Sequence, residues 1–232
     1  MLKVILAFCL APLLLLIQYF CGLLITRQFL EGRFIPSTSM MPTLWPKDRL
    51  LLEKGQKLFA RPYHRGEIIV FYPPKIETRN EDIATDIPAI LGRLTGLACF
   101  PNQLAYVKRV IGLPGDKIRI VAEEGVYING VLLKEKSYVS GPPKRSLSTM
   151  TDIGGLSLSN QNIQPYAGAE WSGKEIIVPA GHLFVLTDSR ETEHDSRTFG
   201  MLDKERIIGR VAYRVFPRFS ALEKPDYQLE TK

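Results

Sequence analysis

The chain has 232 residues, a formal net charge of +6, 45% hydrophobic residues and 23% charged residues. This composition excludes a disordered chain and is typical of one folded domain with inserts. The basic residues are scattered and no nucleic-acid-binding motif occurs, so we expect a basic surface beside anionic lipid rather than a nucleic-acid partner. The three cysteines leave no disulfide in the polar part of the chain, and no set of Cys and His residues has metal-site spacing.

A long apolar run near the N-terminus covers residues 4–25 and contains no charged side chain. At about 1.5 Å of rise per residue, a helix of this length spans a hydrocarbon core of roughly 30 Å. The run is longer than the about 7–15 apolar residues of a cleaved signal peptide and ends without small residues. It predicts a retained transmembrane anchor, preceded by a tail at residues 1–3 and followed by a linker at 26–33. The basic residues on its two sides do not decide its orientation.

Short apolar runs bounded by Gly, Pro, Asn and Asp follow the anchor and predict β-strands. An Asn-Gly pair within the run at 125–133 is typical of a tight hairpin turn. The other predicted strands are residues 48–53, 67–72, 105–111, 117–121, 175–179, 182–187 and 207–216.

Two stretches are predicted as inserts. Residues 75–104 begin polar and acidic and continue with a mostly apolar piece too short to span a membrane, and residues 137–173 lack sustained periodicity. The sequence therefore predicts a mainly β fold of short antiparallel strands with loop-rich inserts, preceded by one transmembrane helix. The catalytic β domain is expected over residues 34–220, and residues 221–232 are expected to form a C-terminal tail.

Ser39 is the candidate nucleophile, because Pro36 and Pro42 restrict the backbone on either side of it. A serine in such a segment is a nucleophile if a base reaches it, although serine is also an ordinary turn residue. None of the three histidines lies in a recognisable nucleophile–base pattern, and no G-x-S-x-G motif occurs. A hydrolase built on this serine would use another base.

Lys108 is the candidate base, because strand alternation places it on one face with Tyr106 and Val110. Burial between them lowers the pKa of an ammonium group. For half of the side chain to be neutral at pH 8, the pKa must fall from about 10.4 by roughly 2.4, or about 3 kcal/mol. Arg109 cannot compete, since a guanidinium keeps its proton. A Lys108 that extends to solvent from an edge strand is the open alternative.

Four motifs resemble those of type I signal peptidases, and they occur in the family's order. The sequence IPSTSMMPTL at residues 35–44 closely resembles the nucleophile motif, and RGEIIVF at 65–71 resembles the next strand. The sequence YVKRVIGLPGD at residues 106–116 is similar to the lysine motif almost residue for residue. Residues 187–200 resemble the last motif. The single anchor and the segment at 48–54 are most similar to the cyanobacterial type of bacterial enzyme.

The resemblance implies a Ser-Lys dyad with Ser39 as nucleophile and Lys108 as general base. It also implies an oxyanion hole made by the Ser39 backbone amide and the Ser37 hydroxyl. The implied protein is a membrane-anchored serine endopeptidase that removes signal peptides from exported preproteins, cutting after small residues at positions −1 and −3. It is expected to need no cofactor or metal, to be a monomer, to contact membrane lipid, and to hold its catalytic domain on the extracytoplasmic side of the cell membrane.

An extended substrate peptide is expected to add as a strand beside residues 34–37 and the Lys108 strand. Core packing is the alternative interpretation for each of the residues that would form the pocket wall. These candidates are Ile35, Pro36, Met40, Tyr106 and Val107.

The last motif departs from the family pattern, because Glu193 stands where a serine is usual. A carboxylate in contact with Lys108 would favour the charged amine, so we expect Glu193 to face solvent and Thr192 or a water to serve Lys108. An ion-pair network that supports the site is predicted from Asp188, Arg190, Asp195 and Arg197.

Three other functions are compatible with the residues. A conjugation-type maturation peptidase of the same superfamily would share the dyad. A catalytically weak, membrane-tethered β module would bind peptides without cutting them. A self-cleaving repressor-type protease is disfavoured by the apolar run and by the absence of a DNA-binding module.

Overall fold

The computed structural model describes residues 29–54, 61–72, 105–135, 137–147, 170–172, 174–191 and 194–222, with isolated residues at 12, 14–16, 18–19, 22, 225 and 227. The predicted insert at 75–104 lies outside the described residues, as does most of the predicted anchor at 4–25. The anchor residues that are described are helical and exposed. Within the described ranges, no helix combines the length and the apolar character needed to cross a bilayer.

The described residues form thirteen strands, most of them short. They are β1 Leu30–Phe34, β2 Arg49–Glu53, β3 Ile68–Phe71, β4 Tyr106–Gly112, β5 Lys117–Val121, β6 Gly125–Ile128, β7 Val131–Leu132, β8 Trp171–Ser172, β9 Glu175–Ile177, β10 His182–Leu186, β11 Leu202–Asp203, β12 Ile207–Phe216 and β13 Ser220–Ala221. One short helix, α1, covers Ser196–Phe199, and a 3-10 turn covers Lys204–Arg206.

The strands make two antiparallel sheets. The larger has the order β1-β2-β12-β3-β4-β10-β11, with β13 also paired to β12. The smaller has the order β7-β6-β5-β9-β8. The turn between β4 and β5 links the two sheets, and Gly115 in this turn adopts φ 88°, a conformation that glycine reaches without a steric penalty.

The larger sheet is buried on both faces around its centre. All four residues of β3 are buried, and they alternate between two apolar clusters. Ile68 and Val70 pack with Met40 and Leu44, whereas the intervening residues of β3 pack with the cluster around β10 and α1. A third cluster fills the space between the smaller sheet and the ends of β4 and β10. The Lys108 strand is therefore held at the centre of a rigid sheet.

The mainly β prediction is confirmed, and the bounds of β5 and β12 match the sequence analysis. The Asn-Gly hairpin is also confirmed, since Asn129 and Gly130 both have positive φ, 51° and 82°. The two-residue strands β8, β11 and β13 and the short helix α1 were not predicted, because runs of this length carry no periodicity.

Three boundaries differ from the sequence analysis. Residues 30–33, expected in a linker, belong to β1, which forms by pairing with β2 rather than through an apolar pattern of its own. In the second insert, residue Tyr138 is only 5% exposed, and β8 adds to the smaller sheet. In the expected C-terminal tail, Ala221 lies in β13 and Tyr227 packs against Gly66.

Replacement of Gly209 by Ala tests the closeness of β12 to β2. A Cβ at Gly209 would lie 2.7 Å from the carbonyl oxygen of Glu53, whereas a Cβ at Gly32 meets nothing within 4 Å. We expect Gly209→Ala to lower the free energy of unfolding by about 1–3 kcal/mol, because backbone must shift. Gly32→Ala, the matched control in an open strand, should change it by less than about 0.5 kcal/mol. Unfolding by urea measures both, and equal midpoints would contradict the prediction.

Candidate active site

Ser39 begins a tight turn that follows the end of β1. The turn is closed by the Leu44 amide, which donates to the Met40 carbonyl at 2.8 Å, and by the Met41 amide, which donates to Thr38 at 3.0 Å. Met40 and Leu44 are 1% and 0% exposed, so their side chains fix the turn in the core. We call residues 39–44 the nucleophile turn. Its first residue, Ser39, is half-buried, while Met40 and Leu44 anchor the turn in the core.

Lys108 reaches Ser39 from the central strand β4. Its Nζ lies 3.5 Å from the Ser39 Oγ, across a separation of 69 residues in the chain. Lys108 is 4% exposed, so it does not extend to solvent. The Nζ lies 5.2 Å from the centre of the Tyr106 ring. The predicted alternation is confirmed here, since Tyr106 packs against one apolar cluster and Val107 against another.

Ser37 lies beside Ser39. The two hydroxyl oxygens are 3.2 Å apart, and Ser37 is exposed. A hydroxyl at this position can turn its proton toward the same space that a substrate carbonyl would enter beside Ser39. The structure thus brings together all three predicted residues of the dyad and the oxyanion hole.

The five predicted pocket residues lie around this site at different depths. Ile35 and Met40 are each 1% exposed and belong to the core. Val107 is partly buried against the same cluster. Tyr106 packs edge-on against Phe71, with ring centres 6.1 Å apart. Pro36 is exposed.

The strand that carries Lys108 is flanked differently along its length. Strand β3 pairs with it from Tyr106 to Arg109. On the other side, β10 pairs with it from Arg109 to Gly112. Among the described residues, the β10 ladder therefore stops just before Lys108, whose side chain reaches Ser39.

A buried ion pair between Arg109 and Asp188 lies directly behind the dyad. The Arg109 Nε and Nη2 donate to the two carboxylate oxygens of Asp188 at 2.8 and 2.6 Å. Asp188 also accepts the Thr43 hydroxyl at 2.6 Å, and Arg109 donates to the Gly66 carbonyl at 2.8 Å. The Ser189 amide donates to the Ser39 carbonyl at 3.1 Å. The nucleophile turn is thus bonded to the last motif at both of its ends.

The four residues predicted as one ion-pair network are buried and paired, but in three separate pairs. Besides Arg109–Asp188, Arg190 pairs with Glu135, and Asp195 pairs with Arg197 at 2.8 Å. Their support of catalysis stays a prediction. Thr192 and Glu193 lie outside the described residues.

Sequence reasoning missed four residues of this surrounding: Thr43, Arg109, Glu135 and Tyr138. Arg109 could have been found, because it shares a strand face with Val107 and Ile111, and a charge on a buried face needs a counter-charge. No pattern in the sequence pointed to Glu135 or Tyr138, which lie in the predicted insert or beside it.

Asp195 illustrates how these pairs are held. Burial opposes its ionisation, but the charge and donors of Arg197 and the Thr187 amide outweigh this and hold the pKa of the carboxyl below its usual range. Its oxygens accept from the Thr187 amide and hydroxyl, both at 2.9 Å, and from the Arg197 amide at 3.0 Å. Asp195 also begins α1 as its N-cap.

A serine hydroxyl within reach of a buried amine is the arrangement that a serine hydrolase with a lysine base requires. The chain belongs to the signal peptidase family, because the family described as "Signal peptidase, peptidase S26" matches residues 2–216.

Two cyanobacterial relatives agree with the type expected from the sequence. The chain is 33% identical to signal peptidase I of Leptolyngbya laminosa over 187 residues, which are 81% of this chain and 69% of that one. It is 32% identical to a protein named "Probable signal peptidase I-2" of Synechocystis sp. over 187 residues, which are 81% of this chain and 63% of that one. The match thus spans less than two thirds of the Synechocystis protein. A crystal structure of signal peptidase I from Enterococcus faecalis V583 shares 24% identity and a TM-score of 0.35, covering 65% of this chain and 97% of that one.

Asp195→Asn tests the ion pairs through pH. The change leaves the buried Arg197 without its counter-charge, so we expect the free energy of unfolding near pH 7 to fall by about 3–5 kcal/mol. Because the folded-state pKa of Asp195 is depressed, the charged carboxylate stabilises the fold above its unfolded pKa of about 4, and this is lost as the pH falls through the folded pKa. The difference between the two proteins should therefore shrink in acid.

Thermal unfolding of both proteins near neutral pH and in acid measures this difference. Glu123→Gln, at an exposed position, is the control and should behave as the unchanged protein. A destabilisation by Asp195→Asn that is the same at all pH values would contradict the assignment.

Proposed function

We propose that the protein is a membrane-anchored serine endopeptidase that removes N-terminal signal peptides from exported preproteins. The observation that carries the proposal is the 3.5 Å approach of the buried Lys108 Nζ to the Ser39 Oγ. Family membership supports the substrate class.

The reaction proceeds in two stages on one serine. Neutral Lys108 takes the proton of the Ser39 hydroxyl as the oxygen attacks the scissile carbonyl carbon. The Lys108 ammonium then gives this proton to the leaving amine, which departs as the mature protein and leaves the signal peptide as an ester on Ser39. Lys108 next takes a proton from a water that attacks the ester, and returns it to Ser39 as the acid product leaves. No cofactor or metal takes part in these steps.

The surroundings of Lys108 support its role as a base. The side chain is 4% exposed, and burial penalises a charged ammonium more than a neutral amine. Arg109, next to it in sequence, faces Asp188 instead and keeps its charge. A cation and a base can thus be neighbours in the chain, because each points to its own face of the strand.

The oxyanion that forms during attack needs donors that are already in place. The Ser39 amide and the Ser37 hydroxyl are the proposed donors. The 3.2 Å contact between the two hydroxyls supports this, since it places Ser37 at the edge of the reacting centre.

The substrate is proposed to bind as an added strand. The added strand is proposed to lie beside β4 on the side of β10, whose described pairs with β4 run from Arg109 to Gly112. The other proposed neighbour of the substrate is the segment at 34–37, which begins at the last residue of β1. Ile35 and Met40 are fixed in the core and would form a firm floor with little depth. A shallow pocket of this kind suits the small substrate side chains expected at positions −1 and −3.

The location follows from the apolar run at residues 4–25, which we propose anchors the chain in the cell membrane once. The catalytic domain, as a monomer, would then lie beside the lipid surface on the extracytoplasmic side, where exported preproteins emerge.

Substitution of either dyad residue tests the function directly. We expect Ser39→Ala and Lys108→Ala each to lower kcat for cleavage of a preprotein by about a thousandfold or more, because the two groups act as a unit. The assay uses the full chain in detergent, with Ser172→Ala and Lys117→Ala, both exposed, as matched controls. Cleavage that survives either dyad substitution would exclude the dyad. If the unsubstituted protein binds the preprotein without cutting it, this result would instead favour a peptide-binding module.

Ser37→Ala tests the oxyanion hole. Loss of one donor to the developing charge should lower kcat by about a hundredfold with little change in KM, since the donor acts mainly in the transition state. Steady-state kinetics on the same preprotein separate the two parameters. A rise in KM at unchanged kcat would assign Ser37 to ground-state binding instead.

A further inference from the structure

The described residues beyond β13 return to the core of the domain rather than trailing from it. Tyr227 and Pro225 lie against Gly66, where a Cβ would approach them to 2.8 and 3.0 Å. Gly66 in turn accepts from the Arg109 guanidinium through its carbonyl at 2.8 Å. The Tyr227 ring is therefore one backbone unit away from the ion pair behind the dyad.

Tyr227 is bonded to a second tyrosine at this position. Its hydroxyl donates to the Tyr138 hydroxyl at 2.6 Å, and the rings meet edge-on with centres 5.9 Å apart. The Tyr138 hydroxyl in turn donates a hydrogen bond to the Glu135 carboxylate at 2.6 Å. Burial raises the pKa of Tyr227 to about 12, so its hydroxyl keeps its proton at neutral pH and can donate.

Tyr138 connects these hydrogen bonds to the Arg109–Asp188 ion pair. The Arg109 guanidinium lies 4.2 Å from the centre of the Tyr138 ring, a distance suited to a cation–π contact. Tyr138 is 5% exposed. Its position is thus fixed from three sides, by Arg109, Glu135 and Tyr227.

The residues after Tyr138 touch both parts of the nucleophile's support. Val139 forms a β-bridge with Pro42, inside the nucleophile turn. The Ser140 amide donates to the Asp188 carbonyl at 3.2 Å. A shift of Tyr138 would therefore be transmitted to Pro42 and Asp188 together.

We propose that Tyr227 is a positioning residue for Ser39, acting through its hydrogen bond to Tyr138. In this proposal, the C-terminal segment holds residues 137–140 in contact with the nucleophile turn and the Arg109–Asp188 pair. The kinetic part rests on the proposed peptidase function, whereas the ordering of the turn does not.

The distance between Ser39 and Lys108 makes proton transfer between them sensitive to small movements of the nucleophile turn. The Ser39 to Lys108 distance of 3.5 Å is at the outer limit of a hydrogen bond. Proton transfer needs a closer approach, and a misplacement of about 1 Å can cost a hundredfold in rate. A small increase in the mobility of the nucleophile turn is therefore expected to lower kcat before it affects substrate binding.

Tyr227→Phe tests the proposal, because it keeps the ring against Gly66 and removes only the hydroxyl. Tyr213→Phe is the matched control, since Tyr213 is 39% exposed and stacks on Phe219 at the surface. On the full chain in detergent, we expect Tyr227→Phe to lower kcat for preprotein cleavage about threefold to tenfold at unchanged KM, the scale of one buried hydrogen bond. Tyr213→Phe should change neither.

The second readout is hydrogen exchange in the nucleophile turn, followed by mass spectrometry. The amides of Met41 and Leu44 are hydrogen-bonded within the turn, and Tyr227→Phe should speed their exchange about threefold to tenfold relative to Tyr213→Phe. This readout does not require the protein to cut anything. If the unchanged chain fails to cleave, the proposed function fails while the exchange result still decides the positioning role.

The double variant Tyr138→Phe/Tyr227→Phe identifies the route. If both residues act through one hydrogen bond, the double variant should exchange and cleave no worse than the poorer single variant. Additive losses would overturn the route through Tyr138. Exchange in the turn that is the same in Tyr227→Phe and Tyr213→Phe would overturn the proposal as a whole.

Discussion

The buried pair of Arg109 and Asp188 is the interaction on which the rest of the site depends. Their side chains are 1% and 0% exposed, and they meet through two charge-assisted hydrogen bonds. Removing one partner of such a pair costs about 3–5 kcal/mol, because the other charge is left buried. The pair joins β4 to the last motif, and Thr43 joins it to the nucleophile turn. One interaction thereby holds together three segments that are distant in sequence.

The cost of burying these two charges is offset because a layer of polar groups completes their hydrogen bonding. Gly66 and Thr43 accept from Arg109, and the Tyr138 ring covers the guanidinium face. In a water-poor interior, a fully bonded polar group fixes geometry, whereas a partly bonded one destabilises the fold. The layer therefore provides a rigid back wall for the dyad, while the apolar clusters fill the remaining space.

Local patterns predicted most of the longer strands but, apart from the Asn-Gly hairpin, not which strands pair. The β5, β6 and β12 segments have alternation or turn residues that define them in isolation, and they were found. Strand β1, with Glu, Gly and Arg in its centre, forms because β2 offers a ladder, and such long-range pairing leaves no local trace. In the candidate site, motifs predicted Ser39 and Lys108, and the structure places the two side chains 3.5 Å apart. Tyr138 and Tyr227 were not, because their roles come only from tertiary contacts.

The pairing of β4 with β3, in which Ile69 faces Lys108 and Ile68 faces Arg109, has a consequence for how the protein can fail. Successive residues of a strand point to opposite faces, so a slip by one residue would move each of the two side chains to the opposite face of the sheet. A slip that placed Arg109 where Lys108 now lies would put a guanidinium, which cannot act as a base, beside Ser39. The apolar Val110 would then stand opposite Asp188. Strand register thus separates the observed arrangement from one of the same composition in which no amine lies beside Ser39.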